Sequence, residues 1–114
     1  MKKVCLFLVL CLALVLQFCT GTKKAASKRA AKITYVGNIE PIVVNSCSPC
    51  HFPPKGNKKP YNSYATVKAD IDEIINRIQR NPGEKGFMPQ RHPKLSDSTI
   101  NLFVQWKNTS MLEK

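Results

Sequence analysis

Cys47-Ser48-Pro49-Cys50-His51 decides how the rest of the chain is read. Two thiols three residues apart, followed at once by a histidine, form the attachment signature of c-type haem. The spacing has a chemical reason. Each thiol reaches one of the two vinyl groups on one edge of a porphyrin and forms a thioether, and the next residue projects its imidazole toward the iron. Other readings of the pair are a disulfide, a redox-active Cys-x-x-Cys or half of a zinc site. Zinc needs two more ligands, and His51 and His92 are the only histidines. A thioredoxin-like motif needs strands around it, and the sequence has no strand pattern.

Upstream, Tyr35, Ile39, Ile42 and Val43 recur at i, i+4, i+7 and i+8, one face of a helix that leads into Cys47. Asn38 as N-cap places Pro41 in the first turn, where a missing N–H is tolerated. The fold begins near Ile33. Downstream, Phe52 to Tyr61 holds three prolines and a glycine, so it is loop beside the cysteines. Tyr64, Val67, Ile71, Ile74, Ile75 and Ile78 predict one long second helix, with Lys68–Asp72 and Glu73–Arg77 as i,i+4 pairs, ended by Asn81-Pro82-Gly83.

Residues 81–95 carry three prolines and two glycines, a long structureless connection for so small a domain. Met88 stands in its middle, and Pro89 stiffens the backbone behind it. A haem iron used for electron transfer commonly takes a second axial ligand, and a methionine there raises the reduction potential. His92 and, more remotely, Met111 are the alternatives. Ser96 caps a last helix whose apolar side is Ile100, Phe103, Val104 and Trp106, with Asp97 in its first turn.

The N-terminal segment is expected to direct export. Met1-Lys2-Lys3 precedes thirteen consecutive apolar residues, Val4 to Leu16, which suits a secretory leader, whereas a membrane-spanning helix needs about 20. Residues 1–21 are read as a signal peptide or lipoprotein leader, 22–32 as a basic flexible tether and 33–114 as the folded domain. Leu16 stands three places before Cys19, as in a bacterial lipobox, while Phe18 departs from that pattern. Cleavage after Gly21 is the competing reading. The expected location is periplasmic, with Cys19 lipidation or an uncleaved leader as the anchor.

Of the +11 net charge, seven bases and no acid lie in the first 32 residues; the remaining eleven bases and seven acids leave +4 on the domain. A nucleic-acid footprint clusters its charge on the folded element that docks, so no nucleic-acid partner is expected. The basic tether instead suits an anionic membrane surface. A domain of about 80 to 95 residues has a core worth only about 3–5 kcal/mol net, which calls for a staple such as a cofactor.

Taken together, Tyr35 to Ile42-Val43 leading into Cys47–His51, the stretch Tyr61 to Val67, Gly86-Phe87-Met88-Pro89 and Leu95 to Trp106 resemble the small monohaem c-type cytochromes of bacteria. These are class I-like domains of secreted or membrane-tethered proteins. The resemblance runs from Tyr35 to about Asn108. It implies an all-α fold of three main helices and long loops wrapped around one covalent haem c, the first and last helices crossing. It further implies His51 as proximal and Met88 as distal iron ligand. Family members often hold the imidazole's other nitrogen with a proline carbonyl, for which Pro60 is the candidate.

Phe52, Phe87 and Trp106 are read as either haem-packing or plain core. Lys55, Lys58, Lys59, Arg91 and Lys94 form a docking rim for an acidic redox partner or a generic solvated surface. With both axial positions filled the chain is expected to be an electron carrier and no enzyme. The alternatives are a haem-based gas sensor or weak peroxidase with a labile Met88, and a non-haem metal or redox module on Cys47, Cys50 and His51.

Overall fold

Thr34, rather than Asn38, starts the first helix. The computed structural model describes residues 32–114, so the leader, Cys19 and all of the basic tether but Lys32 lie outside the described residues. Thr34 has an extended backbone, and its side chain accepts from the Gly37 N–H at 3.2 Å, while Asn38 Oδ1 in return accepts from the Thr34 N–H at 2.9 Å. Asn38 is therefore the second half of a reciprocal cap.

The first turn, Tyr35–Ile39, is π-helical and runs directly into α1, Glu40–Cys47. Pro41 is the physical reason. It has no N–H to offer the carbonyl four residues back, and its ring crowds that carbonyl, so the preceding turn widens. The Glu40 N–H accordingly donates five residues back, to Tyr35. Tyr35, Ile39 and Val43 are buried, while Ile42, on the flank of the same face, is only half-buried.

The long second helix of the sequence reading is two helices. α2, Tyr64–Ala69, is capped by Ser63 and Thr66 in a reciprocal box, and α3 spans Ile71–Gln79. Between them Asp70 leaves helical geometry, with φ −119° and ψ 17°. The break also undoes one expected ion pair. Residues 68 and 72 no longer share a face: Lys68 Nζ donates to Tyr64 Oη at 2.9 Å, and Asp72 pairs with Lys107 instead. Within the unbroken α3, Glu73 and Arg77 do pair, at 2.6 Å.

The last helix, α4, spans Asp97–Asn108, and its Ser96 cap accepts from the Thr99 N–H at 3.2 Å. Ile100, Phe103 and Trp106 are its buried residues; Val104 is half-exposed, and Leu102 packs against the core in its place. α4 packs on both α3 and the Tyr35–Ile39 turn. The contact with that turn brings Tyr35 and Trp106 rings to 5.9 Å, with Tyr64 edge-on to Tyr35 at 5.6 Å.

Beyond α4 the chain turns back through Met111, at φ 44°, and stitches the core shut. The Leu112 carbonyl accepts from the Tyr35 N–H at 2.8 Å and from Trp106 Nε1–H at 3.0 Å. Glu113 takes the Val36 N–H, and the Met111 carbonyl takes Tyr64 Oη–H. The tail thus supplies acceptors to the orphan N–H groups that every helix start leaves. The fold is all-α: no strand occurs among the described residues, and none of their helices is long and apolar enough to cross a membrane.

Candidate cofactor site

Cys47 is the last residue of α1, and the chain from 48 to 61 curls around the motif that it opens. The His51 N–H donates to the Cys47 carbonyl at 3.0 Å, carrying the helical pattern across the motif. The Lys58 and Tyr61 N–H groups return to the carbonyls of Cys50 and His51, at 3.2 and 2.9 Å. Gly56 lies inside this curl. A Cβ there would overlap the carbonyl oxygens of Pro49 and Cys50, both backbone atoms that cannot swing aside. Gly56→Ala is therefore expected to destabilise the protein by about 1–3 kcal/mol, read as a lowered denaturant midpoint with unchanged slope.

The imidazole of His51 is held on two sides. Nδ1 lies 2.6 Å from the carbonyl of Lys59, and the ring stacks on Tyr61, centroids 4.5 Å apart and 13° from parallel. A carbonyl only accepts, so Nδ1 carries a proton, and in the neutral ring the lone pair is then on Nε2, available to a ligand. The holding carbonyl is that of Lys59, one residue before the expected Pro60. The proline leaves the role to its neighbour and stiffens the peptide that presents it.

Cys47, Cys50, His51, Met88 and His92 all line one cavity of about 450 Å³, which opens to solvent. That is within the roughly 300–1,000 Å³ of pre-formed ligand sites. Ile42, Ile74, Ile78, Leu95 and Phe103 supply apolar walls. Cys47 and Cys50 are not joined in a disulfide. Burial pushes the Cys47 thiol up to about 11, so it stays protonated at neutral pH. A thiol-exchange nucleophile needs the opposite shift. Among the described residues no group of three or more His, Cys, Asp and Glu side chains is placed to hold a bare metal ion.

Met88 reaches the cavity from a segment that looks structureless in sequence and is tied down at several points. Its N–H donates to the Arg77 carbonyl on α3 at 3.2 Å, and the guanidinium groups of Arg77 and Arg80 donate to the carbonyls of Gly86 and Lys85. Gly86 has φ 85°, and a Cβ there would stand 2.9 Å from Arg80 Nη1. Gly86→Ala is expected to cost about 1–3 kcal/mol, part from the left-handed backbone and part from displacing that arginine, measured by thermal unfolding. Met88 is half-buried and Pro89 buried, whereas His92 is exposed. Met111 lies in the tail and lines no part of the cavity.

The aromatic walls are Tyr61 and Phe103, not Phe52, Phe87 or Trp106. Trp106 is fully buried against Tyr35 and Tyr64, and Phe52 packs on the edge of the core. Of the basic rim, Lys58, Lys59 and Arg91 border the cavity; Lys94 donates to Asn81, and Lys55 stands off it.

Both carboxylates of the cavity are engaged. Glu73 pairs with Arg77, and Asp70 accepts from Lys59 Nζ at 2.5 Å and from Tyr61 Oη–H. Partial burial works to raise the Asp70 carboxyl, and the hydrogen bonds from Lys59 and Tyr61 outweigh it, leaving the group below the usual carboxylate range. Burial and then the Asp70 hydrogen bond push the Tyr61 hydroxyl well up. A depressed folded value contributes stability that is present above the unfolded value, about 3.9, and is lost as pH falls through the folded one. Asp70→Asn is expected to remove that part of the acid limb, so that wild type and variant converge in melting temperature as pH drops below about 4. Tyr61 and Asp70 escaped the sequence reading because no local spacing joins them; only the fold brings residue 70 beside 59 and 61.

No known protein family matches the chain, and no curated protein or solved structure does so.

Proposed function

We propose that this chain is an electron carrier with one covalently attached haem c, in a cytochrome c-like fold wrapped around it. A single observation carries the reading: both motif thiols, an imidazole whose Nε2 is left free by the Lys59 carbonyl, and the half-buried Met88 line one cavity of about 450 Å³. These donors match the group in kind, with two thiols for the thioethers, a neutral imidazole nitrogen and a thioether sulfur for the iron. When bound, the haem supplies a one-electron ferric–ferrous couple.

The protein's share is binding, orientation and a dry surrounding. Cys47 and Cys50 fasten the group to the end of α1. His51 is held in one tautomer, and the ties from Arg77 and Arg80 keep the Met88 backbone on α3. Ile42, Ile74, Ile78, Leu95 and Phe103 give the cavity its apolar walls. Asp70 and Glu73 are both occupied by cations, so neither is free for general acid–base work. That favours a carrier over a catalyst. Lys58, Lys59 and Arg91 suit redox partners with an acidic docking face, and rim charges of this kind act mainly on association rate. Residues 1–32 would deliver the domain to the periplasm and its membrane surface.

The test is the visible spectrum of protein matured in an export-competent host, oxidised and reduced, with a pyridine haemochrome assay. The expected result is a c-type haem with a weak far-red charge-transfer band from methionine on ferric iron. Met88→Ala is expected to lose that band and lower the reduction potential while retaining the haem. Rapid carbon monoxide binding by the ferrous wild type would overturn the carrier reading in favour of a ligand sensor or weak peroxidase. Absence of haem would overturn the cofactor itself.

A further inference from the structure

Asp70 sits where an aspartate ordinarily caps a helix, directly before α3, yet its side chain makes no capping hydrogen bond. N-cap aspartates earn their frequency by accepting from the second or third N–H of the helix. Here both oxygens are turned elsewhere. Oδ1 takes Lys59 Nζ and Oδ2 takes Tyr61 Oη–H, and the Asp70 side chain is only 13% exposed.

The two residues it grips both hold the His51 ring. Lys59 offers the carbonyl to Nδ1, and Tyr61 lies flat against the imidazole. Pro60 between them limits the backbone freedom of the segment. The Tyr61 N–H is also bonded to the His51 carbonyl, so the segment 59–61 is fixed at the histidine from one side and at Asp70 from the other.

We infer that Asp70 is the positioning residue of His51, one carboxylate clamping both the carbonyl that fixes the imidazole's tautomer and the ring that fixes its plane. The inference rests on the axial role proposed for His51. The partner of a ligating histidine's second nitrogen sets the ring's orientation and basicity, and losing such partners commonly costs about 10–100-fold in affinity or activity. Asp70 acts one bond further out. An exposed Lys–Asp pair alone is worth little. Its consequence lies in what the lysine and tyrosine hold.

The experiment uses the haem-loaded protein and reads hydrogen–deuterium exchange of the His51 Nδ1 proton by paramagnetic NMR, with the Met88 methyl resonance as the marker of an intact iron site. Asp70→Ala is expected to speed that exchange about tenfold or more. Tyr61→Phe, which keeps the stacked ring and loses the hydroxyl, and Asp70→Asn, which keeps one acceptor oxygen, are expected to speed it by smaller factors. Asp72→Asn removes the same charge from α3 at a carboxylate paired with Lys107, and is expected to change nothing. Unchanged exchange in Asp70→Asn and Tyr61→Phe, with the Met88 signal present, overturns the clamp and leaves the haem reading standing. These two near-isosteric variants carry the test if Asp70→Ala does not fold. A wild type without haem overturns the haem reading and the clamp with it.

Discussion

An export product carrying Cys47→Ala and Cys50→Ala is expected to hold no covalent haem and to be largely unfolded. The reason is the cavity. Ile42, Ile74, Ile78, Leu95 and Phe103 face a space of about 450 Å³. Because the cavity opens to solvent, these apolar walls face water unless a group covers them, which forfeits about 25 cal/mol for each Å² of apolar surface left wet. A domain of roughly 80 residues has a net stability of about 4–12 kcal/mol. Wet apolar walls therefore draw on a stability that is already small unless they are covered or collapse together. Collapse would pull α3 and α4 off the positions set by Ile74, Ile78 and Phe103, the residues that also join the core. The measurements are far-UV circular dichroism and the Soret absorbance of the purified export product. Native-like helicity without haem absorbance would sink the expectation and show that α1 to α4 stand without a staple.

Much of this was legible along the chain wherever the signal was local. The apolar stripes Tyr35–Ile39–Val43 and Ile71–Ile74–Ile78 are core as their periodicity requires, and Ser96 caps α4 because a serine before Asp97 has an N–H three residues on to accept from. Cys47, Cys50, His51 and Met88 line one cavity although 37 positions separate His51 from Met88. What failed to show was competition for a side chain by something distant. The stripe from Tyr64 to Ile78 reads as one helix because nothing in its spacing says that Asp70 is claimed by Lys59 and Tyr61. Asn38 is a good cap by type, but Thr34 reaches the free N–H groups first, and Pro41 forces a wider turn. The tail beyond Asn108 has no periodicity at all. Its role is carried by backbone carbonyls, which every sequence possesses.

That tail makes Trp106→Ala the second large effect. Trp106 is 0% exposed and packs against both Tyr35 and Tyr64, which also meet edge to face. Truncating a buried tryptophan costs about 3–5 kcal/mol in transfer and cavity terms. It also removes the indole N–H from the Leu112 carbonyl, loosening the strand of chain whose acceptors serve Tyr35, Val36 and Tyr64. For a domain this small, 1 kcal/mol corresponds to about 4–8 °C, so the melting temperature is expected to fall by at least about 12 °C. Trp106→Phe separates the two contributions. It keeps most of the buried ring and loses the N–H, while Leu112 retains its bond from Tyr35, so its drop is expected to be less than half as large. The site should feel the change through the backbone, because the Tyr35–Ile39 turn anchored by the tail continues into α1 and ends at Cys47. Under the haem reading proposed above, helical signal and the methionine-to-iron band of Trp106→Ala are accordingly expected to disappear in one coincident transition at the lowered temperature. A fall of less than about 5 °C, roughly 1 kcal/mol, would mean that the tail and the Tyr35–Trp106–Tyr64 cluster do not hold the first helix.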